Sequence, residues 1–177
     1  MIYKEIRIFK NLVFRTFMLL VIIGFYTSCG IYSFTGASIP PGAKTVSVDY
    51  FKNIASIFNP TLSQEFTEAL QKKLVSQTPL NLVEGKGDLQ FKGQIVDYAV
   101  TPVALTANET AALNRLTVKV KVTYVNELDE TKNFEETFTR YADFDSKDML
   151  STAEPNIIPG IIEQLTDDIF QKAVVNW

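Results

Sequence analysis

Apolar and polar positions along the chain alternate with two different periods. In Thr45-Val46-Ser47-Val48-Asp49-Tyr50 the period is two, which puts Val46, Val48 and Tyr50 on one face of a strand. Asn59-Pro60 then supplies a helix N-cap and a first-turn proline. After it, Leu62, Phe66, Ala69, Leu70 and Leu74 recur at helical spacing, opposite Gln64, Glu68, Gln71 and Lys72, until Pro79 ends the helix. Residues 80–84 read as a short strand and Gly85-Lys86-Gly87-Asp88 as a turn. Three longer strands are predicted next. Residues 89–101 place Leu89, Phe91, Ile95 and Ala99 inward, and a polar loop covers 105–113. Residues 115–125 alternate cleanly, with Val118, Val120, Val122 and Tyr124 inward and Arg115, Thr117, Lys119, Lys121 and Thr123 outward. After a turn at 128–130, residues 133–144 turn Phe134 and Phe138 inward but leave Glu136 and Arg140 on the same side, which marks an edge, a bulge or a covered strand. The last helix is expected over 155–175, with Ile158, Ile161, Ile162, Leu165, Ile169 and Ala173 on one face and Pro159 in its first turn or delaying its start.

Two amphipathic helices and one-sided strands predict an α+β fold. The expected form is a two-layer sandwich, with both helices on one face of a mostly antiparallel sheet of about four to five strands. The domain spans residues 45–177.

The N-terminal segment follows another logic. Lys4, Arg7, Lys10 and Arg15 precede an apolar run from Phe17 to Tyr26, and small residues follow it. That order is a secretory leader over residues 1–28. The run is about half the roughly 20 residues a spanning helix needs. Extending it backwards would bury Arg15 and then Lys10, which is costly in hydrocarbon; Leu12-Val13-Phe14 keep a membrane anchor as the competing reading. Tyr26-Thr27-Ser28-Cys29 resembles a bacterial lipobox, with Tyr26 where leucine is usual. Cys29, the chain's one cysteine, is then the lipidated first residue of the mature protein and residues 29–44 its tether; the competing reading is a buried free thiol. By resemblance to lipoprotein sorting rules, Gly30 after the cysteine favours export to the outer membrane.

Composition narrows the chemistry. The 177 residues hold 17 basic and 20 acidic side chains and no histidine. Four of those bases and one acid lie in 1–28, so the remainder carries 13 bases and 19 acids, a net of −6. An acidic remainder argues against nucleic acid as a partner. The missing histidine removes the commonest general base and transition-metal ligand, and no enzyme activity, cofactor or metal site is expected. Asp143, Asp145 and Asp148 lack the spacing, glycine and closing glutamate of a calcium loop. Arg115, Lys119 and Lys121 share one strand face at a spacing that suits headgroup phosphates. The competing reading, and the one favoured, is an ordinary solvent face with Glu135 brought beside Lys121 by the turn in a surface ion pair.

Cys29-Gly30-Ile31-Tyr32-Ser33-Phe34-Thr35-Gly36 resembles the mature start of the LptE family of lipopolysaccharide-assembly lipoproteins. The likeness continues through 45–53, 62–74, Asp88-Leu89-Gln90-Phe91-Lys92-Gly93-Gln94-Ile95, Asn114-Arg115-Leu116-Thr117-Val118-Lys119-Val120 and 164–177. The resemblance implies a plug in the periplasm-facing lumen of the outer-membrane β-barrel LptD, which it helps to fold and to deliver lipopolysaccharide. The partners it implies are that barrel, lipopolysaccharide, and the outer membrane through the anchor at Cys29. Such a plug would turn outward residues such as Tyr98, Thr117 and Tyr141 toward the barrel wall. Two other readings stand beside it: an accessory periplasm-facing lipoprotein of similar fold with another envelope partner, and a carrier of hydrophobic ligand.

Overall fold

The computed structural model describes residues 39–57, 59–103 and 112–175. The expected leader, Cys29, most of the tether and most of the 105–113 loop lie outside the described residues. The elements run β1 (Thr45–Val48), β2 (Lys52–Asn53), α1 (Leu62–Gln77), β3 (Asn81–Leu82), β4 (Leu89–Val103), β5 (Leu113–Asn126), a short 3-10 turn (Glu130–Lys132), β6 (Phe134–Asp145) and α2 (Leu150–Phe170). A π-turn over Gln171–Val175 continues α2.

The sheet is open and mixed, in the order β3-β1-β4-β5-β6, with β2 also on β4. The long pairings β4–β5 and β5–β6 are antiparallel; β1–β3, β1–β4 and β2–β4 are parallel. Thus β1 and β2 form one interrupted strand along β4. Gly93 of β4 lies inside the stretch that faces this break. A Cβ there would overlap the Lys121 carbonyl oxygen and the Phe51 ring. The bare backbone lets Phe51 fold inward, fully buried and edge-on to Phe66 of α1 at 5.0 Å between centroids.

Helix α1 seals this edge as well as covering the core. Leu62, Phe66, Leu70 and Leu74 are buried as the periodicity predicts, and so are Ser63 and Thr67. The Thr67 hydroxyl accepts from the Phe51 amide (3.1 Å), and that of Ser63 from the Asn53 amide (2.9 Å). Asn59 caps the helix, but from further out than expected. Its side-chain oxygen accepts from the amides of Thr61 and Leu62, both at 3.0 Å, and the helix starts only at Leu62. The β3–β4 turn is tied to β1 by Asp88, whose carboxylate accepts from the amides of Lys44 and Thr45 at 2.9 Å each and from the Thr45 hydroxyl at 2.8 Å.

Three elements depart from the sequence reading. β1 ends at Val48, and Tyr50, expected on one face with Val46 and Val48, is 56 % exposed on the outer side. The β4–β5 register shifts between Ile95 and Asp97, a bulge that turns the rest of β4 over. Tyr98, expected to face outward, is therefore 1 % exposed on the helix side, donating to Glu154 of α2. The bulge also takes Ala99 out of the buried set. Helix α2 begins at Leu150 and runs through both Pro155 and Pro159. Each proline removes one helical N–H, to the carbonyls of Ser151 and Pro155. Both prolines and Ser151 are exposed, so water can take the freed carbonyls.

The misfit on β6 also resolves here. Arg140 makes a two-pronged pair with Asp168 of α2, both contacts 2.6 Å, and Glu136 meets Lys172 beyond it at 3.0 Å. The neighbouring Asp167 turns the other way, to Lys73 of α1. Helix α2 thus covers β6 and is held to strand and helix by adjacent aspartates.

Replacing Gly93 by alanine should cost about 2–3 kcal/mol, because both groups in the way are fixed by backbone and core. A urea midpoint unchanged from that of the parent would show that the Phe51–Gly93 contact tolerates a side chain and is not the constraint described.

Candidate interaction surface

The helices cover one face of the sheet, and the opposite face carries the basic residues singled out from the sequence. Alternation along β5 points Arg115, Lys119 and Lys121 outward, as expected. Each has an acidic neighbour. Arg115 grips Asp143 of β6 with two contacts, 2.7 and 2.9 Å, beneath the Tyr141 ring at 3.8 Å from the centroid. Lys119 meets Asp97 of β4 at 3.0 Å, and Lys121 meets Glu135 of β6 at 2.6 Å. The turn does bring Glu135 back beside Lys121. A patch that reads as three positive charges in the sequence is locally neutral in the fold.

The pairs shift their own titrations. Hydrogen bonding from Arg115 holds the Asp143 carboxyl below the usual carboxylate range, and Asp143 raises the guanidinium in turn. The Lys121 ammonium lowers Glu135 in the same way. Asp88 is lowered chiefly by the Lys44 amide and the Thr45 hydroxyl. On the helix side, Asp168 raises Arg140.

Beside Lys121 the outer face dips into a groove of about 430 Å³, with Tyr50, Lys52, Lys92 and Glu135 among its walls. Lys52 and Lys92 are exposed and make no ion pair among the described residues. Sequence periodicity gave no sign of this groove, because it needs β1, β2 and β4 side by side, and parallel pairings leave no local pattern. Of the residues expected to line the outer face, Thr117 and Tyr141 are there, Tyr141 being 51 % exposed, and Tyr98 is not. The aspartates 143 and 145 are engaged: Asp143 by Arg115, and Asp145 as acceptor for the Lys147 amide. Among the described residues no group of three His, Cys, Asp or Glu side chains could hold a metal. No helix among them is long and apolar enough to cross a membrane. Cys29 lies outside the described residues.

The profile of the lipopolysaccharide-assembly family LptE matches residues 43–173, nearly the whole described domain. The chain belongs to the LptE family. This is a family of non-enzymatic outer-membrane lipoproteins with a role in lipopolysaccharide assembly. No curated protein matches the sequence. Among solved structures, a homolog of a neuraminyllactose-binding hemagglutinin from Helicobacter pylori is 11% identical, with a TM-score of 0.50 over 80% of this chain and 88% of that one. A minor lipoprotein from Acinetobacter baumannii is 13% identical, with a TM-score of 0.49 over 73% and 91%. Rare lipoprotein B from Shewanella oneidensis is 15% identical, with a TM-score of 0.47 over 72% and 92%. At these identities the likeness concerns the fold alone.

The lowered carboxylates fix the sign of an acid response. Their folded-state pKa values lie below the unfolded ones, so the pairs stabilise the fold fully above about pH 4 and lose that contribution as the pH falls through the folded-state values. An Asp143→Asn, Glu135→Gln variant should therefore trail the parent in urea midpoint at pH 7 and converge with it near pH 2.5. A gap of equal size at both pH values would mean that the two carboxylates act through shape and not charge.

Proposed function

We propose that this LptE-family protein is a lipid-anchored plug and assembly factor for an LptD-type outer-membrane β-barrel, taking part in the delivery of lipopolysaccharide to the outer leaflet. The observation that carries the reading is the family match across the whole α+β domain. Cys29 is the acylated residue in this proposal, and it holds the domain on the periplasmic side of the outer membrane. A plug works by contact, and the one-sided fold suits that. Helices α1 and α2 complete the core against one face of the sheet, leaving the face of Arg115, Lys119 and Lys121 free to meet barrel wall or glycolipid. Those three residues are the proposed headgroup contacts. Because each is already paired, an arriving phosphate must compete with Asp143, Asp97 or Glu135, whereas Lys52 and Lys92, in the groove they share with Asp49 and Glu135, make no ion pair among the described residues.

A carrier of hydrophobic ligand is less well supported. Such a carrier needs room between sheet and helices, and there Phe51, Phe66, Phe91, Tyr98 and Tyr124 are each within 1 % of full burial.

Affinity purification of the full-length protein from detergent-solubilised outer membranes should recover one large β-barrel protein at near-equal stoichiometry. Recovery of the lipoprotein alone under gentle detergent would overturn the plug reading. Cys29→Ser should move the protein from the membrane to the soluble periplasmic fraction or leave it unprocessed, and normal membrane fractionation of that variant would remove the anchor. Truncating Arg115, Lys119 and Lys121 together to alanine should weaken lipopolysaccharide binding; undiminished binding would take the headgroup contacts elsewhere.

A further inference from the structure

The two edges of the sheet are not alike. On one side the edge is formed by the two-residue strands β3 and β2, and next to β2 the amides of Phe51 and Asn53 are taken by the hydroxyls of Thr67 and Ser63. The other edge is β6. It pairs with β5 in one unbroken register from Leu113↔Asp145 to Tyr124↔Phe134. One step beyond, the Ser146 amide donates to the Ala112 carbonyl at 3.0 Å. Backbone groups of successive residues in an antiparallel strand point to opposite sides. The even-numbered residues of β6 therefore face β5, and the N–H and C=O groups of Glu135, Thr137, Thr139, Tyr141 and Asp143 point away from the sheet. Among the described residues nothing bonds these backbone groups.

Proteins blunt such edges with proline, charged side chains, inward-pointing charges, bulges or very short strands. β6 has twelve residues and no proline, lysine or bulge. Its charges do not guard it either. Glu135, Glu136, Arg140 and Asp143 are drawn back onto Lys121, Lys172, Asp168 and Arg115 of the same domain. We infer that the free edge of β6 is a docking site for an extended segment of a partner polypeptide, which adds to the sheet as a further strand.

The fold limits what that segment can be. Asp168 and Lys172 place α2 and its continuation over β6. Pairing two copies edge to edge would set the strands about 4.8 Å apart, whereas the two overlying helices need roughly 8–10 Å between axes. An antiparallel pairing of two copies would therefore crowd their helices, whereas a bare segment meets no such obstacle. The wall of a closed barrel has no edge to offer, so the occupant is a loop or terminal segment. The outward side chains of β6 run Glu135, Thr137, Thr139, Tyr141, Asp143. With Glu135 and Asp143 paired to Lys121 and Arg115, the neutral β-formers in the centre fit a strand with β-branched or aromatic residues in its middle.

Thr139→Pro tests this, because it deletes an amide that the domain's own ladder does not use. Proline is tolerated at such an edge position. Arg140→Pro, one residue on, removes an amide facing β5 and serves as the destabilised control. Thr139→Pro should keep a thermal midpoint close to the parent's, while recovery of the co-purifying barrel protein falls by about tenfold or more. In the isolated domain the amides of Thr137, Thr139 and Tyr141 should exchange rapidly and that of Arg140 slowly; in the complex all four should be slow. Full barrel recovery with Thr139→Pro, or rapid exchange of the three outward amides in the complex, would overturn the proposal and leave the plug reading standing. This arm rests on that reading. If the parent protein recovers no barrel, the plug reading falls, and the edge is judged on a synthetic peptide of residues 134–145. Paired about Phe138, this peptide sets Glu136 opposite Arg140 and Thr137 opposite Thr139, with no like charges opposed. Saturable binding to the parent that Thr139→Pro abolishes would support the edge, and no binding to the parent would refute it.

Discussion

The packing of the Phe51 ring over the bare backbone of Gly93 is the contact on which the arrangement of this domain turns. Because β4 has no side chain there, the strand beside it can break between Val48 and Lys52 and drop an aromatic ring into the core. The break has two consequences. It brings the Phe51 and Asn53 amides within reach of Thr67 and Ser63, which locks α1 along that edge by hydrogen bonds as well as by apolar burial. It also leaves Tyr50 and Lys52 on the outer face, where they wall the groove beside Lys92 and Lys121. One missing methyl group thus links the core, the first helix and the relief of the exposed face.

What could be read from the sequence was what repeats. β5 alternates without a fault, and its inward valines and outward cations are where the period puts them. The stripe of α1 is equally regular. The bulge between Ile95 and Asp97 is a single added residue, invisible to any periodicity, and it was enough to carry Tyr98 from the outer face to the core. The start of α2 was hidden for a different reason. Pro155 and Pro159 are ordinarily stop signals, and they are accommodated here because the freed carbonyls lie on an exposed side. Glu136 and Arg140 did signal their situation. Two charges on an inward face require partners, and the partners, Asp168 and Lys172, lie on a helix that no local pattern could bring to them.

Charge pairing determines what the outer face offers to a ligand. Counted along the strand, Arg115, Lys119 and Lys121 look like an anion site; in the fold each is quenched by a neighbour on β4 or β6. Surface pairs of this kind exchange readily with solvent and salt, so they do not forbid a stronger anion, but they oblige it to displace a carboxylate. The exposed lysines 52 and 92 make no ion pair among the described residues, so an anion there displaces no paired carboxylate. A glycolipid approaching this strand face would meet paired charges and not three bare cations, on a chain whose residues 29–177 carry a net charge of −6.

The same pairing bears on the β6 edge, whose outward backbone groups nothing bonds among the described residues. Charges defend a strand edge when an incoming chain would repel them or leave them desolvated without a partner. On β6 they are committed. Glu135 and Asp143 lean back across the outer face to β5, and Glu136 and Arg140 are taken up by α2 and the turn beyond it. What fixes the second helix in place therefore also strips the edge of its guard. A free-standing domain would gain from a single proline or lysine in the middle of this strand, and the run Thr137-Phe138-Thr139-Arg140-Tyr141 contains neither. An edge with this composition is a liability for a protein that works alone and an asset for one that works by contact with another chain.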